Sequence, residues 1–401
     1  MQSNLNVAYL APQLTALEAT FIYEEIAAVE KSGINVVPFS VNRPKSYLEG
    51  NDSLLRRTKY LYDINKVFII LLGLLVFFSS GKSGLQALRY LGHDVKKVGI
   101  FSKNAAKLTF QFFAGAMLSK ELKSKDCKHL QIHFAHVATQ IGMYAATMAS
   151  IPFTVMAHAN DIFERGLLLK EKAERAKKFF TISDYNRQYL LTKGLAQEKI
   201  AIIRCGVAQA DKEPKRQYSP SQIVIGSLGR LVEKKGMNDL ISAVSILLSR
   251  GHNIRLLIGG EGPLEQTLKK QVTELGIASS VSFDGKIPRS GLDSWMNKLD
   301  IFILACKKDK NGDQDGIPVV LMEAMMRKVP VVATAISGIP ELIVDGKTGY
   351  LAQSDSIESL VNKVELCLDS VEQSDIVLQA EQHVKNEFGR QVNVDRLNAY
   401  F

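Results

Sequence analysis

Short runs of β-branched and other apolar residues alternate with helix-period segments along almost the whole chain, and they do so in two series. The first series holds NVAYLAP (6–12), INVVPFSV (34–41), LQIHFA (130–135), FTVMAH (153–158), KFFTIS (178–183) and AIIRCGV (201–207). QIVIGSLG (222–229), IRLLIGG (254–260), VSFDG (281–285), IFILAC (301–306) and VPVVATAI (329–336) form the second. Amphipathic stretches such as DLISAVSILLSRG (239–251) lie between them. Parallel strands need crossover helices that cover both faces of the sheet, so this alternation predicts an α/β fold. AQADKEPKRQYSPS (208–221) separates the series and has linker composition. At 401 residues the chain is also longer than one core usually organises. The expectation is two doubly wound, Rossmann-like domains, 1–207 and 222–384, facing each other across a cleft, with a helix near 385–401 packing back on the first. Ligands of such sheets bind outside the carboxyl ends of the strands, which directs attention to the residues just after each strand.

Charge is unevenly spread. Residues 1–210 hold 27 Lys+Arg against 16 Asp+Glu, whereas the remainder holds 23 against 25. A basic first half favours an anionic surface or substrate, but no basic-aromatic recognition motif singles out nucleic acid, which is not an expected partner. Cys127, Cys205, Cys306 and Cys367 lie far apart with no C-x-x-C, as suits reduced thiols of a cytoplasmic protein. The start, MQSNLNVAYLAP, has no basic region followed by an apolar stretch, so no secretory signal is read there.

The run VFIILLGLLVFF (67–78) is too short to span a bilayer, which takes about 20 residues. It reads either as a buried helix or as an element lying in a membrane interface, and periodicity does not separate the two. Arg56, Arg57, Lys59 and Lys66 before it, and Lys82, Arg89, Lys96, Lys97, Lys103 and Lys107 after it, are the company that an anionic membrane surface attracts.

The second half concentrates the chemistry. After strand 222–229 comes GRLVEKKG, with Arg230, Lys234 and Lys235 in a loop ahead of a helix starting near Asn238 and Asp239. A planar guanidinium, a mobile ammonium and a helix N-terminus together suit an anion; a solvated basic loop is the plain alternative. GGEGPL (259–264) follows the next strand, with Pro263 expected in the first turn of a helix. Its Gly260 and Gly262 allow close backbone approach, but Glu265 stands where a dinucleotide fingerprint has its third glycine. DGIPVVLMEAM (315–325) then places Asp315 in a loop and Glu323 within an otherwise apolar helix preset by Pro318. Asp315 alone reads as a helix cap. Glu323 does not, because a buried carboxylate needs hydroxyl or cationic donors. Two carboxylates, an Arg-x4-Lys pair and glycine turns at strand ends suit a ligand with a diphosphate between two polyols, the anatomy of a nucleotide sugar.

With PQLTALEATFIYEE near the start, then HFAH, AHAND, GRLVEKKG, GGEGPL, D-G-I-P-x4-E and SGIPELIVDGKTGYLA (337–352), the chain resembles glycosyltransferase family 4, the retaining enzymes of the GT-B fold. The resemblance implies that Arg230 and Lys235 bind the donor diphosphate and that Glu323 holds the ribose hydroxyls. It also implies that Asp315 contacts the transferred sugar beside the amides of Gly316 and Ile317, and that His158 stands next to that sugar. Asp315 departs from the family's usual glutamate, and EATF (18–21) departs from its usual N-terminal loop. The activity implied is transfer from a nucleoside diphosphate sugar to a hydroxyl acceptor with retention, with neither a cofactor nor a metal, and the basic first half with the 67–78 run makes a lipid-linked saccharide on a cytoplasmic membrane face the expected acceptor. The alternatives are a sugar-nucleotide epimerase or hydrolase of the same fold, and a non-catalytic sugar-nucleotide binder.

Of the other polar residues, His129 and His133 in one extended strand stand about 13 Å apart, too far to share a zinc. His129 reads as a core residue, and His133 and His136 as edging the cleft or bonding backbone groups. Glu341 reads as the start of a helix and Trp295 as a packing residue.

Overall fold

The computed structural model describes residues 5–14, 20–44, 52–208, 222–370 and 374–401. Two compact units emerge. The first comprises Met1–Ile182, Asn186–Gly206 and Asn393–Phe401, and the second Ser183–Tyr185 with Val207–Val392.

In the first unit, strands β1 (Asn6–Ala11), β2 (Asn35–Ser40), β3 (Lys59–Tyr60), β4 (His129–His133), β5 (Phe153–Ala157), β6 (Lys178–Thr181) and β7 (Ile200–Ile202) form one parallel sheet in the order β3-β2-β1-β4-β5-β6-β7. Register follows the apolar runs: Val7 pairs with Val36, and Ile132 with Val155. β4 and β5 are buried along their whole length, as strands covered on both faces must be. The order reverses between β1 and β4, the switch point at which doubly wound sheets open a crevice.

The second unit repeats the plan with β8 (Ile223–Leu228), β9 (Ile254–Gly259), β10 (Val281–Gly285), β11 (Ile301–Leu304), β12 (Val331–Thr334) and β13 (Tyr350–Ala352), in the order β10-β9-β8-β11-β12-β13. Its switch point lies between β8 and β11. The α/β class and the two Rossmann-like halves expected from the alternation are therefore what is found. β3 and β13 add edge strands too short to show in the pattern.

The apolar run near residue 70 is a helix, Lys66–Ser79, started by Asn65, whose side chain accepts from Val67 N–H at 2.9 Å. It packs on the helix Lys103–Ser124 through Ile69 and Gly73. A Cβ at residue 73 would meet the Phe113 carbonyl oxygen at 2.6 Å, so only glycine lets the two backbones approach this closely. The rest of the helix turns outward: Val67 is 61%, Leu75 68% and Phe78 73% exposed. The buried-helix reading is thereby overturned. The helix forms a third layer, on another helix and not on the sheet, so one narrow stripe suffices to hold it. Among the described residues no helix is long and apolar enough to cross a membrane.

Candidate functional site

The loops after β8 and β11 flank the second unit's switch point. Gly236 ends the β8 loop with φ +64° and caps the helix Met237–Ser249, which no side chain caps. A Cβ on it would fall 1.7 Å from the Ala305 carbonyl oxygen, so the loop reaches the end of β11 only because this residue is glycine. That contact sets the two loops against each other. Lys235 Nζ lies 2.7 Å from Asp315, and Lys234 Nζ lies 3.5 Å from Asp315 and 2.8 Å from Asp313. Cys306 donates its thiol to the same Asp315 carboxylate at 3.5 Å. Beside them Lys307 pairs with Asp239, in the first turn of the helix, at 2.8 Å.

Burial pushes the Asp315 carboxyl up, but Lys235 and then Lys234 outweigh it and hold the group below the usual carboxylate range. Burial likewise lowers Lys235, while Asp315 more than restores it, so the ammonium titrates above its usual range. The Cys306 thiol is pushed far up by burial and by Asp315, which keeps it protonated. Asp315 is thus the counter-ion of a lysine pair and not a helix cap: the helix Val319–Met326 begins after Pro318 with no side-chain cap at all. Arg230 is exposed and, among the described residues, makes no ion pair.

Glu323 is buried, as its apolar surroundings predicted, and it ion-pairs with Arg289 from the short turn after β10. Sequence reasoning missed that arginine: 34 positions and two strand ends separate the partners, and no periodic pattern joins them.

Gly260 and Gly262 have a structural reason to be glycine. A Cβ at 260 would meet the Gly229 carbonyl oxygen at 1.9 Å, and one at 262 the Leu231 carbonyl oxygen at 2.5 Å. The 259–264 turn is laced to the β8 loop by Leu231 N–H to Glu261 O (2.9 Å) and Leu264 N–H to Leu231 O (3.1 Å). Its helix, Glu265–Glu274, starts two residues beyond Pro263, so that proline lies in the turn and not in the first helical turn. Gly316 accepts from Gly338 N–H at 3.3 Å, and Ile317 is buried beside it. Glu341 stands in the first turn of Ile339–Leu342 as expected, and it also accepts from the N–H groups of Asp184 and Tyr185 at 2.9 and 3.0 Å. Trp295 packs in the core with its indole N–H on Asp284 at 2.8 Å.

His158 belongs to the first unit, just past β5. Its N–H donates to Asp161 at 2.7 Å, and its ring packs at a tilt against Phe21 and Phe134 with centroids 4.8 Å away. Burial, followed by His133 and His136, pushes the imidazole down to about 3, so it is neutral; its Nε2 has no partner among the described residues. His129 is a core residue bonded to Thr154 at 2.7 Å, as read from the sequence. His133 is fully buried and bonds the Glu25 carboxylate at 3.1 Å, so it neither edges an opening nor bonds backbone. His136 does bond backbone, accepting from Val137 N–H at 2.8 Å. Among the described residues no group of three His, Cys, Asp or Glu side chains gathers where a metal would be held, and all four cysteines are free thiols. The EATF stretch lies mostly outside the described residues, as do 209–221 of the linker.

The sequence of residues 209–382 matches the family "Glycosyl transferases group 1". That match covers less than half of the chain. The chain is 32% identical over 244 residues to the putative colanic acid biosynthesis glycosyltransferase WcaL of Escherichia coli, an alignment covering 59% of this chain and 60% of that protein. It is 31% identical over 245 residues to the amylovoran biosynthesis glycosyltransferase AmsK of Erwinia amylovora, covering 59% and 60%. The chain thus spans about 60% of the length of these curated relatives. A shorter match, 35% over 142 residues and 35% and 37% of the two chains, is to a GDP-mannose-dependent phosphatidylinositol monomannoside mannosyltransferase of Mycolicibacterium smegmatis. In fold, a glycosyltransferase from Rickettsia africae superposes with TM-score 0.73 at 15% identity over 99% of this chain and 98% of that one. Anabaena HepE, solved with UDP and glucose, gives 0.69 at 16% over 98% of each. Both group 1 likeness and architecture agree with the GT-B class expected from the motifs.

Proposed function

We propose that the chain is a retaining glycosyltransferase of the family 4 type. It moves a sugar from a nucleoside diphosphate sugar, with uridine or guanosine as base, to a hydroxyl of a saccharide or lipid-linked saccharide. The observation that carries this reading is the meeting of Lys234 and Lys235 with Asp315 in the β8 loop, which also carries the exposed Arg230, at the switch point of the unit that matches group 1, where the fold presents ligands.

In this reading Arg230 and Lys235 take the diphosphate, and Glu323 takes the ribose hydroxyls while keeping Arg289 as its charge partner. Gly260 and Gly262 bring the backbone of their turn close to the donor, and Asp315 exchanges a lysine for hydroxyls of the sugar, flanked by Gly316 and Ile317. The family resemblance alone assigns His158, neutral and with Nε2 unpartnered among the described residues, to the transferred sugar. The bond from the anomeric carbon to the diphosphate oxygen breaks and the acceptor oxygen bonds on the same face. The acceptor proton passes to the departing phosphate. Charge develops on that phosphate, and preorganised cations there lower the barrier most. We assign that work to the protein's own cations, without a metal.

We further propose peripheral binding at the cytoplasmic face of a membrane. Support comes from the outward apolar face of Lys66–Ser79 beside the basic residues of the following helix, Gly81–Val98.

Incubation with a panel of nucleotide sugars, with and without saccharide acceptors, followed by mass spectrometry, tests the activity. Acceptor-dependent release of nucleoside diphosphate is expected. Rapid epimerised or hydrolysed product from donor alone would replace this reading with an epimerase or hydrolase, and donor binding with no turnover would replace it with a binder.

A further inference from the structure

Asp161 and Lys172 are fully buried in the first unit, and nothing above gives either charge a role. Asp161 lies in the short helix Ala159–Phe163 after β5, and Lys172 in the helix Leu169–Arg175. Burial pushes the Asp161 carboxyl up to about 7, against main-chain N–H groups including those of Ala135 and His158 and against Lys172. Burial also lowers the Lys172 ammonium to about 7, against Asp161. Neutral side chains could satisfy the same main-chain groups without desolvating two charges. The pair is explained by what it grips.

The carboxylate joins two strand ends. Its Oδ1 accepts from His158 N–H at 2.7 Å, just past β5, and its Oδ2 accepts from Ala135 N–H, two residues past β4. Lys172 Nζ takes the other side of the same residue, donating to Ala135 O at 2.6 Å and to Leu167 O at 2.5 Å. Ala135 is thus held at both its N–H and its carbonyl.

Those grips coincide with strain. Among the described non-glycine residues with left-handed backbone, only Phe134 (φ +71°) and Leu168 (φ +56°) are apolar. Each adjoins a residue whose carbonyl Lys172 holds, Ala135 after the one and Leu167 before the other. A bulky side chain persists in that region only where the surroundings over-determine it, and such positions gather at functional sites. Here the conformation delivers a ring. Phe134 packs on the His158 imidazole with centroids 4.8 Å apart and stacks over His136 at 5.5 Å. Its own N–H still pairs with Met156 O at 2.8 Å, and Thr139 Oγ1 donates to its carbonyl at 2.8 Å. One carboxylate therefore sets the contact between Phe134 and His158 from both sides, fixing the backbone of the imidazole and the backbone that carries the covering ring.

We propose that Asp161, backed by Lys172, is a positioning residue for His158. The pair holds Phe134 in its left-handed turn, and the Phe134 ring then locks the imidazole in the one orientation from which Nε2 meets a sugar hydroxyl. This rests on the glycosyltransferase reading and adds to it two residues that touch no substrate.

A double-mutant cycle on turnover tests it, with the donor and acceptor that react in the nucleotide-sugar panel. Asp161→Asn keeps the shape but offers one acceptor to two N–H donors, and Lys172→Met removes both carbonyl contacts. Each should lower kcat about 10²-fold, the cost of misplacing a group near the reaction by an ångström, with donor KM and UDP or GDP affinity held within about twofold. The cations proposed for the diphosphate belong to the second unit. In a His158→Ala background the same substitutions should cost less than about twofold, because the group they position is gone. Phe134→Gly, which adopts the left-handed backbone freely and removes the ring, should behave in the same way and serves if the charge variants fail to fold. The His158 Cε1–H resonance should also shift in folded Asp161→Asn and Phe134→Gly. A kcat loss that persists undiminished in the His158→Ala background would make the pair a structural support only and overturn the proposal. So would wild-type turnover in His158→Ala, or an unshifted His158 resonance. If the wild-type chain binds neither UDP nor GDP and turns over no donor, the glycosyltransferase reading falls; if it binds and turns over while the cycle is additive, only the positioning role falls.

Discussion

Two apolar helices, Lys66–Ser79 and Val319–Met326, end in opposite surroundings. The first rests on another helix and exposes Val67, Phe68, Leu71, Leu75 and Phe78 by more than half. The second lies directly on β11 and β12 and is covered by the helix Ser374–Phe388, so Leu321 through Met326 are all buried, Glu323 included. Composition does not separate them; layer does. A helix against the sheet has its outer side covered in turn, whereas one in the third layer spends a single stripe on packing and leaves the remainder to whatever lies outside. Charge follows the same division: the inner helix has its carboxylate paired within the protein, and the outer one is followed by solvent-facing lysines such as Lys82 and Lys103.

The sharpest way to break this contrast is at the β8 loop, whose lysines pair with Asp315 ahead of the inner helix. Lys235→Ala should lower turnover about 10²–10³-fold, the usual loss for a charge-stabilising group. The melting temperature should move by only a few degrees, since Lys234 remains beside Asp315; a fall in stability that accounts for the whole loss of activity would return Lys235 to a structural role. At the outer helix, Leu71→Gln/Leu75→Gln should cut sedimentation with anionic liposomes about tenfold or more, on the scale of apolar area withdrawn from lipid. Unfolding should stay unchanged because both side chains already face outward, and unaltered liposome binding by the folded variant would leave the exposed face without a membrane role. Glu323→Gln retains the shape and removes the charge, so donor KM should rise about tenfold, the worth of one charged hydrogen bond, with kcat held; a kcat loss at constant KM would contradict a ribose contact. The smallest effect concerns acid. Asp315 titrates below its ordinary value when folded, so its contribution to stability is complete above about pH 4 and is lost as pH falls through the lower folded value. Lys235→Ala should therefore bring acid unfolding to a slightly higher pH, and an unshifted acid limb would deny the pairing.

How far the sequence reaches is seen residue by residue. Strands such as Phe153–Ala157 and Ile254–Gly259 were legible because strands buried on both faces read as continuous apolar runs. β3 was not, since a pair of residues carries no period, and β13 offers only three residues behind the glycines of 346–349. Within the candidate site, burial of Glu323 followed from its neighbours, but its partner did not: Arg289 arrives from the turn after β10, 34 positions earlier, and no local pattern joins the two. Asp315 taken alone reads as a cap because a lone acid ahead of a helix has that meaning locally, whereas the lysines that claim it stand about 80 positions earlier. The glycines of 259–264 signalled close approach correctly, yet a sequence does not say what is approached; here it is the neighbouring main chain.

The seat of Gly236 beneath the Ala305 carbonyl has one more consequence. With no space there for even a methyl group, a swap to alanine at 236 would push the β8 loop off the end of β11 and pull the lysine pair away from Asp315 before any charge had been altered.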